Sequence, residues 1–387
     1  MGNSRQYNLK RFGILIKGII PGLLFWPFPT DKKRVILSST RNEHYNFNSK
    51  FLFEYLIQNR KDLDVFYVIN DDAKREELNR KIGPYFIETK SFRGMWFVLK
   101  AGFWFTSSME TPVGGLLHRW KRTVVHLGHG APLKNIGLLE KNISFVKRVY
   151  YKLITGNFTW FLAVSDYFKP IIANFAGVSE KRVLVNEQPR NQVLLNQQRD
   201  VLKDYSDNFR ILYAPTWKPW VKELDWGMLE GENFEAIDNF LFQNNAVLFI
   251  RMHPYFEKAE VYERAASSKS IKVLSSENFP EVNDVLGAFD ALITDYSSVC
   301  FDYLLFDRPI LFWTKDIDKY EIQIGFTDSF EKLAAGPAVS AIGDLLGYLR
   351  IILESEENLQ KFRIPVLKLI ETDRSNVCKS LLEKVGV

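Results

Sequence analysis

The chain has 387 residues, 46% hydrophobic and 25% charged, ordinary globular values that set aside disordered, collagen-like and polytopic membrane classes. Two cysteines, Cys300 and Cys378, allow neither a disulfide framework nor a cysteine metal cluster, which fits a reducing, cytoplasmic setting. The net charge of +5 and the 14% aromatic content point to an anionic partner or surface without saying which.

At roughly 100–200 residues per domain, this length predicts two domains or three. The N-terminal region is basic: Arg5, Lys10, Arg11, Lys17, Lys32, Lys33 and Arg34 stand against the single acid Asp31. They enclose the apolar run Phe12 to Phe28. A membrane span needs about 20 largely apolar residues; this run is shorter, contains Lys17, and is interrupted by Pro21, Pro27 and then Pro29. Trp26-Pro27-Phe28-Pro29 is not a signal-peptide cleavage site. The segment is therefore either a helix packed on the first domain or an anchor lying in a membrane interface.

Short apolar runs then alternate with helical patterns. Val35–Ser38, Val65–Ile69, Phe103–Thr106, Val124–Leu127 and Phe161–Val164 read as strands, with helices near 48–60, 71–82, 91–100 and 165–175, the last capped by Ser165. Between 114 and 152 a second basic stretch, Arg119, Lys121, Arg122, Lys134, Lys141, Lys147, Arg148 and Lys152, faces only Glu140 and includes the amphipathic segment 143–154. Well-placed cations attract anionic lipid by roughly 1 kcal/mol each, so an anionic membrane surface is an expected partner. No zinc-finger spacing, RNP signature or KH loop is present, and nucleic acid is not expected.

The stretch Asn191–Asn208, polar and without a long apolar run, reads as a linker at 191–208 between domains at 1–190 and 209–387. In the second half, Ile211–Ala214, Val247–Ile250, Ile271–Leu274, Ala291–Thr294 and Pro309–Trp313 repeat the strand rhythm. Helical segments near 340–355 and 357–371 close the chain, the last placed to cross back to the first domain. The fold class is α/β: two doubly wound, Rossmann-like domains facing across a cleft, with ligands expected just beyond the strand ends.

Polar constellations fall at those ends. In Val124-Val125-His126-Leu127-Gly128-His129-Gly130, a strand ends by presenting His129 between glycines, as a catalytic or a merely structural imidazole. In Ile250-Arg251-Met252-His253-Pro254, alternation puts Arg251 and His253 on one face, where the guanidinium suits either a phosphate or a structural carboxylate. Thr294-Asp295-Tyr296-Ser297-Ser298 runs into a helix containing Asp302, so the two serines are a helix cap, an anion site, or both. Tyr213-Ala214-Pro215-Thr216-Trp217-Lys218 and Gln188-Pro189-Arg190-Asn191 add two weaker sites. No Walker loop, G-x-G-x-x-G or G-x-S-x-G motif is present.

In this order and spacing, His129-Gly130 with Pro132-Leu133-Lys134, Pro189-Arg190-Asn191, Ala214-Pro215-Thr216-Trp217, Arg251-Met252-His253-Pro254 and Thr294-to-Ser298 with Phe301-Asp302-Tyr303 resemble the CDP-glycerol glycerophosphotransferases of teichoic acid synthesis. The resemblance extends through Asp307 to Trp313, Gly325-Phe326 and Gly336-Pro337, covering roughly residues 34 to 345. It implies a GT-B arrangement and transfer of glycerol phosphate from CDP-glycerol to a hydroxyl of a lipid-linked acceptor, with release of CMP, on the cytoplasmic face of the cell membrane.

It also implies roles. His129 corresponds to the base on the acceptor hydroxyl and His253 to the second catalytic residue. Gly130, Pro132, Leu133, Arg190, Pro215, Thr216, Arg251, Met252, Ser297, Ser298 and Asp302 correspond to donor-binding positions. No carboxylate pair suited to a metal is evident, so neither metal nor cofactor is expected, and cationic side chains take the part that Mg²⁺ plays elsewhere.

Gly128 replaces a usual tryptophan, Ala131 a threonine, Gln192 an aspartate and Lys218 an arginine. These departures leave a CDP-ribitol donor or a capsule-polymer enzyme of the same chemistry open. Two further readings are a GT-B nucleotide-sugar glycosyltransferase, which would release a nucleoside diphosphate, and a noncatalytic scaffold.

Overall fold

The apolar runs become two parallel sheets. In the first, β1 (Asp31–Ser38), β2 (Asp64–Val68), β3 (Phe86–Ile87), β4 (Ala101–Thr106), β5 (Thr123–His126), β6 (Trp160–Ala163) and β7 (Val183–Val185) lie in the order β3-β2-β1-β4-β5-β6-β7. In the second, β8 (Phe209–Ala214), β9 (Ala246–Ile250), β10 (Ile271–Val273), β11 (Ala291–Thr294), β12 (Ile310–Trp313) and β13 (Ala338–Val339) lie in the order β10-β9-β8-β11-β12-β13. The structure, a computed structural model, describes residues 12–194, 199–216, 218, 220, 227–252 and 260–387.

Both sheets are doubly wound. The strand order reverses between β1 and β4 in one and between β8 and β11 in the other, and such sheets bind ligands outside the carboxyl ends at that reversal. The chain divides into two compact units: one holds the residues up to His129, Ile136–Gln192 and Thr372–Val387, the other Gly130–Asn135 and Val193–Glu371. The last helix, Val377–Val385, thus belongs with the first sheet, where Cys378, Leu381, Leu382 and Val385 join the core formed by Val35, Leu37, Phe53 and Phe105. The second unit has its own core around Ile211, Leu248, Ile293 and Leu311.

Every residue of β4, β9, β11 and β12 is buried, because helices cover both faces of a parallel sheet and demand apolar residues at consecutive positions. β3, β7 and β13 escape sequence reading because two or three residues carry no periodicity. The helix expected from 165 starts later, at Lys169–Ala176, with Phe168 at the cap position in place of Ser165. Proline lacks an N–H and is tolerated in the first helical turn, so Pro170 sets the start.

Near the N-terminus, residues 12–17 and Ile19–Phe25 are helical. One face docks on the first unit: Leu15 and Phe25 are buried, and Gly18 and Gly114 approach so closely that a Cβ on either would overlap the other's segment. The other face leaves Ile16, Ile20 and Leu23 60%, 69% and 66% exposed, so docking does not consume the apolar surface. The amphipathic segment forms the helix Phe145–Ile154, N-capped by Ser144, with Phe145, Val146 and Leu153 exposed. No helix among the described residues is long and apolar enough to cross a membrane.

Two imidazoles are built into the first unit as neutral groups. Burial, then the charge of Arg122, holds His118 at a pKa of about 3; burial, then His129, holds His126 at about 3. An unfolded histidine titrates near about 6.5. Below that pH the unfolded chain binds protons that the folded one refuses, so stability falls as pH drops from about 6.5 towards about 3, by up to about 1.4 kcal/mol per pH unit for each imidazole. Urea midpoints are expected to decline between pH of about 6.5 and about 5, above the carboxylate range. A midpoint that is constant through this window contradicts the assignment.

Candidate active site

β5 ends at His126, and the chain turns through Gly128, whose φ of +64° lies in the left-handed region that favours glycine, to present His129 exposed beyond the sheet. Three contacts fix that turn. Asn48, fully buried in the first turn of the helix Phe47–Asn59, donates from Nδ2 to the carbonyls of Leu127 (3.1 Å) and Gly128 (3.0 Å) and to Gln188 Oε1 (3.0 Å). Arg190 donates from Nη1 to the carbonyl of His129 itself (2.9 Å), and its backbone N–H donates to Asn48 Oδ1 (3.3 Å). The Phe47 ring stacks on the imidazole at 5.2 Å, from a backbone with φ of 55°. A bulky residue in that region costs of order 1–3 kcal/mol and persists only where its surroundings hold it.

The imidazole has a defined orientation. Nδ1 lies 3.4 Å from the Ser107 carbonyl at the end of β4, a long contact in which Nδ1–H donates and Nε2 is left as the proton acceptor. Ser107 is itself held, since its Oγ accepts from the Ser49 N–H (2.8 Å) and Ser49 Oγ donates to the Ser38 carbonyl at the end of β1 (2.6 Å). The strand reversal at β1 and β4 therefore carries the hydrogen bonds that set the histidine.

In the second unit the equivalent reversal is organised by Asp295. Fully buried after β11, its Oδ1 accepts from the backbone N–H of Thr216 (2.7 Å), beyond β8, and of Tyr296 (2.6 Å). Lys218 lies 3.5 Å from Asp295 Oδ2 and 2.8 Å from both carboxylate oxygens of Asp316, which also accepts from the Tyr296 hydroxyl (2.9 Å). Burial raises the Asp295 pKa, while Lys218 and the two N–H groups oppose that rise. Lys134 also lies within reach of the Asp295 charge, and burial lowers its pKa.

Pro215, Thr216, Ser297 and Ser298 thus meet at the ends of the adjacent strands β8 and β11. Thr216 Oγ1 is buried without a hydrogen-bond partner among the described residues. Ser297 Oγ accepts from the Val299 N–H (3.4 Å), whereas Ser298 occupies the cap position of the helix Val299–Tyr303 without a side-chain cap bond. Asp302 is buried and accepts from Asn283 Nδ2 (3.3 Å). Arg251 directs Nη1 and Nη2 to the carbonyls of Leu274 (3.1 Å) and Pro280 (3.2 Å), and Met252 is buried. These bonds tie down the loop after β10.

Gly130, Pro132 and Leu133 belong to the second unit, where Lys134 pairs with Phe326. Thr327 donates from Oγ1 to the Pro132 carbonyl (2.7 Å) and from its N–H to that of Leu133 (3.1 Å). His253, Trp217, and the basic residues Arg5, Lys10 and Arg11 lie outside the described residues.

The family model for CDP-glycerol:poly(glycerophosphate) glycerophosphotransferase matches residues 23–385. The chain belongs to this family. It is 26% identical over 345 residues to a teichoic acid glycerol-phosphate transferase of Staphylococcus aureus, covering 84% of this chain and 85% of that one. It is 28% identical over 330 residues to a teichoic acid poly(glycerol phosphate) polymerase of Bacillus spizizenii, covering 80% and 81%. A solved structure of the wall teichoic acid polymerase TagF matches with a TM-score of 0.78 at 20% identity, covering 100% of this chain and 97% of that one, which shows a GT-B-like α/β fold.

The family resemblance read from the motifs is thereby borne out, and two of the departures find a physical setting. Gln192 accepts at Oε1 from the Cys378 N–H (2.8 Å), in the first turn of the last helix, a bond that serves the first unit's packing. Lys218 satisfies the buried Asp295 and the half-buried Asp316 as a compact cation, where a bidentate fork is not required.

Sequence reading missed Phe47, Asn48 and Ser107, while Gln188 stood in one of its weaker constellations. It had no signal for the first three, since each acts through a contact with a residue distant in the chain. Asn48→Ala leaves buried carbonyls and the Arg190 N–H without their partner. It is expected to destabilise the fold by about 1–3 kcal/mol in urea titrations. Asn48→Asp should fail to recover this loss because the missing groups are N–H donors; full recovery by aspartate would contradict the hub role.

Proposed function

We propose that this chain transfers glycerol phosphate from CDP-glycerol to a hydroxyl of a lipid-linked acceptor at the membrane surface, releasing CMP. The observation that carries the reading is the exposed His129 imidazole, oriented by the Ser107 carbonyl and the Phe47 ring, in a chain of this family. In this reading Nε2 takes the proton of the acceptor hydroxyl, a contribution typically worth about 10² to 10⁴-fold. A bond forms between the acceptor oxygen and the phosphorus that bears glycerol. The bond from that phosphorus to the oxygen of the CMP phosphate breaks, and CMP leaves with the electron pair.

The second unit supports the donor part. The polar ends of β8 and β11 supply the Ser297 and Ser298 hydroxyls and the unsatisfied Thr216 Oγ1, which a phosphate oxygen would complete. Arg251 adds positive charge at the end of β9, where charge develops as CMP departs. Arg190 acts through the His129 carbonyl and is a positioning residue in this scheme. His253 remains the second catalytic residue of the proposal. Gly130, Pro132, Leu133, Met252 and Asp302 shape the donor site or hold its walls.

Peripheral attachment to the cytoplasmic face of the membrane fits the exposed apolar residues of the N-terminal helices and of Phe145–Ile154, which basic residues interleave. With CDP-glycerol, CDP-ribitol and nucleotide sugars offered alongside a lipid-linked acceptor, acceptor-dependent CMP release from CDP-glycerol is expected. His129→Ala should lower it by at least about 10²-fold with an unchanged circular dichroism spectrum. CMP release from CDP-ribitol alone would reassign the donor. Nucleoside diphosphate release from a sugar donor, or near-native turnover by His129→Ala, would overturn the reaction or the base.

A further inference from the structure

The first unit carries a groove remote in sequence from the His129 turn. Leu24, Phe28, Phe92, Arg93 and Trp96 line it; the volume is about 530 Å³. That is within the roughly 300–1,000 Å³ of small-molecule sites. The walls are ordered: Phe92 stacks on Trp96 at 5.7 Å, Phe28 meets Trp96 edge-on at 5.1 Å, and Phe25 buttresses the same indole at 5.1 Å. Yet Leu24, Phe28 and Phe92 are 54%, 48% and 53% exposed, so the described residues leave the groove open.

Charge identifies the occupant. Residues 12–34 and 91–100 contain Lys17, Lys32, Lys33, Arg34, Arg93 and Lys100 against Asp31 alone. Asp31 is engaged by the Lys33 N–H and by Arg34. The carboxylate nearest Arg93 along the chain, Glu88, is taken up by the N–H of Ser91 and the hydroxyl of Ser91 at the start of the helix Phe92–Leu99. Arg93 is exposed, with Glu88 lining the neighbouring cavity beside it. An exposed apolar trough beside an exposed guanidinium, in a stretch where cations outnumber acids, matches a molecule with a hydrocarbon chain and an anionic head.

We propose that this groove takes one acyl chain of an anionic bilayer phospholipid, with Arg93 on its phosphate. The inference rests on the membrane-surface reading above and adds a defined lipid site to it. Lodging a single chain along the groove that Leu24, Phe28, Phe92 and Trp96 line seats the first unit at a fixed depth, which diffuse attraction by surface lysines does not do.

The test uses the full chain with vesicles of phosphatidylcholine and phosphatidylglycerol whose acyl chains are brominated, so that contact with a chain quenches tryptophan emission. Co-sedimentation and quenching are expected for the wild type, and the conservative Trp96→Phe should remove a distinct part of the quenchable emission while leaving co-sedimentation intact. Arg93→Gln should weaken vesicle affinity about fivefold, as the loss of one well-placed surface cation implies. If the wild type binds vesicles but Trp96→Phe retains the same quenchable emission, or Arg93→Gln binds as the wild type does, the groove assignment is overturned and the membrane reading survives. Absence of vesicle binding by the wild type overturns both. Reversal of the Trp96 quenching by a soluble prenyl phosphate would assign the groove to the acceptor's chain and overturn the phospholipid assignment.

Discussion

The side chain of Asn48, buried at the start of a helix, donates to two successive carbonyls of the turn after β5 and accepts the N–H of Arg190, which in turn holds the carbonyl of His129. The turn that follows a strand leaves its carbonyls without a neighbouring strand to bond them, and buried carbonyls need partners. Asn48 satisfies them from 80 residues away in the chain, and in doing so decides where the imidazole stands. The Phe47 backbone, held at positive φ beside it, places a ring against the histidine.

Asp295 does the corresponding work in the second unit. Its carboxylate accepts the N–H groups that follow β8 and β11, so two strand ends are joined by one acid where ladder bonds have run out. A lone buried carboxylate would be costly, and Lys218 offsets that cost while Asp316 and Tyr296 satisfy the ammonium and each other. The two units thus solve the same problem with different chemistry: an amide where backbone carbonyls need donors, an acid where backbone N–H groups need an acceptor.

The strands were legible because parallel strands covered on both faces leave consecutive apolar residues, and His129, Ser297 and Ser298 were legible because they follow such runs directly. Arg251 also follows one, but its sequence context could not distinguish a ligand from the carbonyls of Leu274 and Pro280, which come from a loop more than 20 residues on. Ser165 has the composition of a cap, yet Pro170 determines where the helix begins. Asn48 sits in a stretch with no motif at all, and its importance arises only when β5 and the Gln188–Arg190 segment arrive beside it.

By itself, the order of residues determined the α/β rhythm, the family motifs and the basic, aromatic character of the N-terminal third, because these depend on neighbours in the chain and on local periodicity. Tertiary structure alone decided which groups orient His129, that Asp295 links β8 to β11, that the last helix packs on the first sheet, and that Leu24, Phe28, Phe92 and Trp96 enclose a groove. Those outcomes are set by contacts between segments tens to hundreds of residues apart, and such contacts leave no periodic trace in either partner's own sequence.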